Sequence, residues 1–462
     1  MKKINIIWLV NDFYINTFEY VYSECKKSEI FNITIVACPH VGHEDLKTIS
    51  STEISKFLTE NDIENIDCYN NKTGKILDLK TLNPDYVFYL KPYNYYLPDE
   101  YNSKYIKTYS KICSIPYGSI MINYDKNYEI MCKNEFYDDV YKVFNESNLI
   151  DGLNYQNKIK TIGYLKLDKY FYYNKKSIDL SIKNDNFTVI WKPRWTLESY
   201  ESHFFEYIEE FIKIVKEYPD IIFKIYFHPL FEYKIDNKNL RENFNNYISK
   251  LSFYPNFKRL EGQNFLDEVL NADIFISDHS STLVEFALTG KPYIFCKSDI
   301  TPNKLGKIII DNSYIADNRV SFRKNIINLI NGKDYKENKR KKNLSDIVYF
   351  PKNGISCSQY LLENLIEDYI ENLQNEKLSL NKKLISKSNK YIWLKDKVNV
   401  QNKTINEFMR DKVTMANEKT NLIEEIQKYK KVIFNMENSK SWKLTKIFRL
   451  ISERIKKWYK KK

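Results

Sequence analysis

No apolar run in the 462 residues approaches the length of a membrane-spanning helix, so no integral span is expected. A secretory core is missing too. Met1-Lys2-Lys3 precedes only the short run Ile4 to Val10, and polar Asn11-Asp12 follows, which reads as a first strand. The seven cysteines (25, 38, 68, 113, 132, 296, 357) are scattered and odd in number, without a Cys-X-X-Cys. That excludes a disulfide framework and fits free thiols in a reducing compartment. Cys38, His40 and His43 lie close together, but four good ligands for a closed metal site are not visible. No metal and no cofactor is expected. The formal net charge is +12, yet the body of the chain has no basic stripe. From Asn438 onward there are ten Lys/Arg against the single acid Glu453, a local charge of +9, which leaves about +3 for the rest. No nucleic-acid recognition motif is present. Finally, neither glycine nor proline occurs after Gly354.

Short apolar strands alternate with helical segments. Ile4–Val10, Phe31–Ala37 and Asp85–Leu90 read as buried parallel strands and Ile112–Gly118 as a further strand ending in a Gly turn, with a helical pattern over Ile15–Cys25. Lys160 to Asp168 reads as the crossing into a second domain. There, strands are expected at Phe187–Trp191, Ile221–Phe227 and Asp273–Ser277, and helices at Phe204–Val215, Phe265–Leu270, Val320–Leu329 and Ser358–Tyr369. The fold class is therefore α/β, with doubly wound domains at 1–165 and 166–372.

The stretch Asp273 to Cys296 organises the second domain. A strand runs straight into Asp278-His279-Ser280-Ser281-Thr282. Leu283, Phe286 and Ala287 then fall at helical spacing, and Gly290 stops the helix. Unpaired helix-start amides and Ser/Thr hydroxyls suit an anion at the carboxyl edge of a parallel sheet. The plainer alternative is that Ser280 or Ser281 serves only as an N-cap. Two more loops fall on the same edge: Lys192-Pro193-Arg194-Trp195-Thr196 and His228-Pro229. Lys192 and Arg194 can neutralise a diphosphate, and His228 can hydrogen-bond one. Glu285 can accept from ribose hydroxyls. Asp138-Asp139 is a weak candidate for a metal–diphosphate site.

Trp191 to Phe295, with its WKPRW, FHP and SDHSSTLVEFALTGKPYIF runs, and more weakly GYLKLD at 163–168, resembles the CDP-glycerol glycerophosphotransferase family, the teichoic-acid primases and polymerases. Residues before about Ile150 match that family only in layout. The resemblance implies a GT-B fold of two facing Rossmann-like domains. It also implies that His228, Ser280, Ser281 and Thr282 hold the donor's phosphates with help from Arg194. The HP loop and Ser/Thr helix start are similar to bacterial polysialyltransferases as well. One departure stands out. Where the family carries a Trp-His-Gly turn bearing its proposed general base, this chain has Pro116-Tyr117-Gly118. Tyrosine has an unperturbed pKa near 10 and makes a poor base at neutral pH. His279, Asp12, or a loop histidine (His40 or His43) is the expected replacement, with Tyr117 retained as a candidate.

From Leu380 to Met436 a heptad can be threaded in which thirteen of seventeen a/d positions are apolar. Lys387, Gln401, Lys412 and Lys419 are the breaks. Residues 373–437 are expected to form a self-associating coiled coil, or else a helix lying along its own domain. Residues 438–462 place Leu444, Ile447, Phe448, Ile451, Ile455 and Trp458 on one face among basic residues, the pattern of an interfacial helix on anionic lipid. The expected protein is a cytoplasmic transferase, peripheral on the inner face of the membrane. It would move glycerophosphate or a related polyol phosphate from a CDP-linked donor to a hydroxyl of a lipid-linked or surface-glycan acceptor. The rival readings are a glycosyltransferase using a nucleotide sugar and an inactive membrane-recruited scaffold.

Overall fold

The computed structural model describes residues 3–391 with the exception of 14, 42–47, 71–72, 123–134, 150–154, 173–176, 179–185, 197–200, 236, 262–264 and 343; beyond 391 it describes only 425 and 428. Residues 1–364 form one compact unit and residues 365 onward a second.

The first unit holds two parallel sheets. The first has strands β1 (Ile4–Val10), β2 (Phe31–Ala37), β3 (Asn65–Asp67), β4 (Tyr86–Tyr89), β5 (Lys111–Ser114), β6 (Lys142–Asn145) and β7 (Ile159–Thr161). They lie in the order β3-β2-β1-β4-β5-β6-β7. After the short antiparallel pair β8 (Phe171–Tyr172) and β9 (Ser177–Ile178), the second sheet follows. It comprises β10 (Thr188–Lys192), β11 (Ile222–Tyr226), β12 (Phe257–Leu260), β13 (Ile274–Ser277), β14 (Tyr293–Cys296) and β15 (Tyr314–Ala316), ordered β12-β11-β10-β13-β14-β15. Every pairing within both sheets is parallel. In each, the strand order reverses beside the first strand, at β1/β4 and at β10/β13. Such a reversal opens a crevice at the carboxyl edge, where ligands of doubly wound sheets bind.

The strands read as continuous apolar runs because both faces are covered. Trp8 stacks on Phe88 at 4.4 Å inside the first sheet. In the second, Trp191 is buried against Phe204, Phe211 and Phe322, from the helices Phe204–Glu217 and Arg319–Ile330. The opposite face of that sheet carries Ile190 and Phe275, which belong to a core continuous with Ile7, Leu9 and Val87 of the first domain. One apolar core therefore ties the two domains together.

The first helix starts at Glu19 rather than Ile15; Phe18 is its N-cap and packs its ring on Trp8 at 5.4 Å. Gly290 has φ of +71°, a left-handed conformation that favours glycine, three residues past the helix Ser281–Ala287. The helix expected to end at Tyr369 runs from Cys357 to Tyr391, as the lack of glycine and proline allows. The heptad beyond Tyr391 and the basic segment 438–462 lie outside the described residues, apart from 425 and 428. Among the described residues no helix is long and apolar enough to cross a membrane.

Candidate donor site at the second sheet edge

The loops after β10 and β13 meet at the strand-order reversal, and a buried carboxylate joins them. Asp278 is fully buried. Its Oδ2 accepts from the Arg194 backbone amide at 2.8 Å, and its Oδ1 lies 2.6 Å from His203 Nδ1. Burial opposes charge on His203, but the Asp278 carboxylate raises its pKa above the usual imidazole value. Asp278 thus shapes the Arg194 loop rather than facing a ligand phosphate as expected. The Arg194 side chain is positioned in turn: Nε donates to Thr196 Oγ1 at 2.8 Å and to Glu201 Oε2 at 2.9 Å, and Nη1 donates to the His279 carbonyl at 3.3 Å. Burial alone would raise the Glu201 pKa, yet Thr196 and Arg194 hold it low.

Lys192 ends β10 and is nearly buried. Burial pulls its pKa down to about 8; Glu285 and Asp278 work against that fall and Arg194 deepens it. His228 caps the short helix Pro229–Tyr233, its Nδ1 accepting from the Leu230 amide at 3.1 Å. That hydrogen bond fixes the tautomer, leaving the proton on Nε2. Burial first, then Lys192, Lys91 and Arg194, lowers the His228 pKa to about 3. The ring is therefore held as a neutral hydrogen-bond donor.

His279 is buried, and neither ring nitrogen has a hydrogen-bond partner among the described residues. Its pKa is lowered to about 3 by burial and by the Arg194 charge. Ser280 is the N-cap of the helix, its Oγ accepting from the Leu283 amide at 3.3 Å. Its hydroxyl is spent on the plainer role considered from the sequence. Ser281 is half-buried at the first turn, and Thr282 is buried. Glu285 has a setting different from the ribose contact expected: its Oε1 accepts from Tyr164 Oη at 2.8 Å and Lys166 Nζ at 3.2 Å.

The first domain closes over this edge. Lys166 also donates to the Tyr117 carbonyl. A Cβ on Gly118 would lie 2.8 Å from both Cβ and Oγ of Ser281, so the Pro116-Tyr117-Gly118 turn sits directly on the helix start. Asn303 Nδ2 holds the Ile120 carbonyl at 2.8 Å just beyond. Asp12, after β1, pairs with Lys91, after β4, at the first sheet's own reversal point. Lys91 and Asp12 both act electrostatically on His228, which brings the two carboxyl edges together.

Other candidates have different settings. Asp139 is taken by Lys107 and by Ser103 Oγ at 2.7 Å and serves the first domain's structure, which corrects the metal–diphosphate candidate Asp138-Asp139. His40 is buried and stacked on Tyr96 at 4.4 Å, while His43 lies outside the described residues. Among the described residues no group of three or more His, Cys, Asp or Glu is placed to hold a metal ion. Sequence reasoning missed Lys91, Glu201 and His203, which carry no motif. Tyr164 and Lys166 stood inside GYLKLD, a signal read without a role.

Residues 151–351 match the family model of the CDP-Glycerol:Poly(glycerophosphate) glycerophosphotransferases. This is the family that the sequence resembles. The match spans the whole second sheet and its loops. No curated protein matches the chain. Solved structures share the GT-B-like fold. The S. aureus MnaA–UDP co-structure superposes with a TM-score of 0.53 at 12% identity, covering 80% of this chain and 97% of that one. UDP-GlcNAc 2-epimerase from Neisseria meningitidis gives 0.51 at 14%, covering 79% and 100%. The wall teichoic acid polymerase TagF also gives 0.51 at 14%, covering 80% and 90%. Family match and fold together support a transferase of the glycosyl or glycerophosphate class.

Proposed function

We propose that the protein transfers a polyol phosphate from a CDP-linked donor to a hydroxyl acceptor, with the donor's diphosphate seated between Lys192, Arg194 and His228. The observation that carries this reading is the convergence of two cations and a neutral imidazole N–H donor on one sheet edge, within the family-matched region. An acceptor oxygen attacks the phosphorus that carries the polyol. A new P–O bond forms, the bridging P–O bond to CMP breaks, and CMP leaves with the electron pair. Lys192, Arg194 and His228 Nε2–H offset the charge that develops on the leaving phosphate. The acceptor's proton needs a base on the first-domain side. Asp12 fits that place, since it lies at the first sheet's carboxyl edge, across from His228. His279 fits less well, being buried on the donor side with a weakly basic ring. Tyr117 contributes its phenol to the same edge, within 3.3 Å of Tyr93 Oη.

The test is CMP release from CDP-glycerol in the presence of a polyol-phosphate or glycan primer. Asp12→Asn should lower turnover by about a hundredfold or more while nucleotide affinity stays within twofold. Loss of turnover in His279→Tyr with normal turnover in Asp12→Asn would reverse the assignment. Release of UDP or GDP from a nucleotide sugar, with a new glycosidic bond, would move the reading to a glycosyltransferase. The association of residues 438–462 with anionic membrane, self-association through 380–436, and a cytoplasmic inner-face location belong to this proposal as well.

A further inference from the structure

The carboxyl edge of the first sheet carries a surface that the donor chemistry does not use. The loop after β4 presents Tyr93, Tyr95 and Tyr96. Tyr95 and Tyr96 meet at 4.3 Å with a 61° interplanar angle, and Tyr93 meets Tyr96 edge-on at 5.5 Å and 86°. The rings thus form a corner rather than a stack. Tyr93 Oη lies 3.3 Å from Tyr117 Oη, which joins this corner to the turn resting on Ser281. Tyr95 is 46% exposed and Tyr117 40%, the kind of exposed ring surface that marks interaction sites. The corner is also held rigidly. Tyr96 is stacked on His40 at 4.4 Å, and its carbonyl accepts from the Val41 amide at 3.0 Å. Asn94 clasps Ser103 through both its side-chain atoms, at 2.9 Å each. Lys91 lies over the Tyr96 ring at 5.6 Å while paired with Asp12.

We propose that this tyrosine corner is the acceptor subsite and that it takes a sugar ring, a hydroxylated pyranose whose C–H face packs on the exposed Tyr95 ring while its hydroxyls meet phenol and Asp12 oxygens. The proposal rests on the transferase reading for its location, and it names the acceptor's chemistry. Each phenol supplies both a flat apolar face and a polar rim. An acyl chain would gain nothing from the rim. A flexible glycerol phosphate chain has no flat face to offer, and one lysine already paired with an acid is a poor phosphate clamp. A sugar ring uses both properties. Lys91, which lies over Tyr96, pairs with Asp12 and acts on His228, and so places the corner beside the proposed diphosphate seat.

The experiment is saturation-transfer NMR on the full chain with methyl glucoside, methyl N-acetylglucosaminide, their β-linked disaccharides and a glycerol phosphate dimer, run beside a nucleotide titration. The expected result is saturation of ring C–H protons by at least one saccharide. Tyr95→Ala should lose it, with affinity falling about fivefold or more, and Tyr95→Phe should keep it. Nucleotide affinity should be unchanged in both, which also shows that the variants are folded. Signal from the glycerol phosphate dimer alone, no saccharide signal, or equal signals in Tyr95→Ala and the parent would overturn the proposal. Failure of nucleotide binding in the parent protein would instead strike the donor reading and leaves the saccharide result independently readable.

Discussion

Lys192 and His228 would meet the proposed diphosphate differently, and pH separates them. Lys192 has its pKa at about 8 because burial penalises its charge. A diphosphate that needs the ammonium should bind with proton uptake near pH 8, and affinity should fall as pH rises above that value. Calorimetry in buffers of different ionisation enthalpy checks this; uptake should vanish in Lys192→Met. His228 behaves in the opposite way. Its ring is held neutral down to about pH 3, so it makes no contribution to pH dependence between 5 and 7. His228→Ala should still weaken nucleotide binding about ten- to a hundredfold, the worth of one hydrogen bond to a charged group. Affinity in the parent protein that climbs as pH falls through 6.5 would contradict the neutral-donor assignment.

At the scale of elements, two buried carboxylates fix backbone segments, one of them beside Lys192. Asp278 clamps the Arg194 loop, so Asp278→Ala should cost about 3 kcal/mol in chemical denaturation by stranding His203 and the Arg194 amide. Asp168 does similar work elsewhere. Its oxygens accept from the Cys357 and Ser358 amides at 2.8 and 2.9 Å, where the long helix begins. Burial raises its pKa to about 6, with those hydrogen bonds holding it lower than burial alone would. The folded protein therefore binds this proton more tightly than the unfolded chain. The group's contribution to stability should decline as pH rises from about 4 to 6, and Asp168→Asn should remove that slope from the denaturation midpoints. Strand positions were legible in the sequence because buried parallel strands read as apolar runs; β1 and β2 fall at the residues expected. The loops proposed to hold the donor were placed for the same reason, each following a readable strand. The clamps were not. Asp278–His203 and Glu285–Lys166 join residues far apart in the chain, and nothing local marks a carboxylate as spent on a neighbour rather than offered to a ligand.

For the whole molecule, one core and two facing carboxyl edges make residues 1–364 a single cleft-bearing unit. The Gly118 turn, closed onto Ser281, and the Lys166–Glu285 bridge hold the two domains together beside the second sheet's carboxyl edge. A Gly118→Val variant would force that contact apart and should reduce turnover more than nucleotide affinity in steady-state assays. The segment 438–462 carries the membrane expectation, and its removal should abolish binding to anionic vesicles in a flotation assay. The central claim is that the second sheet edge binds a cytidine diphosphate donor through Lys192, Arg194 and His228. Its most direct test is isothermal titration of the full chain with CMP, CDP-glycerol, UDP and GDP, repeated with Lys192→Met and His228→Ala. The account predicts selective cytidine-nucleotide binding that both substitutions weaken. Equal or stronger binding of UDP or GDP, or no nucleotide binding at all, would contradict it.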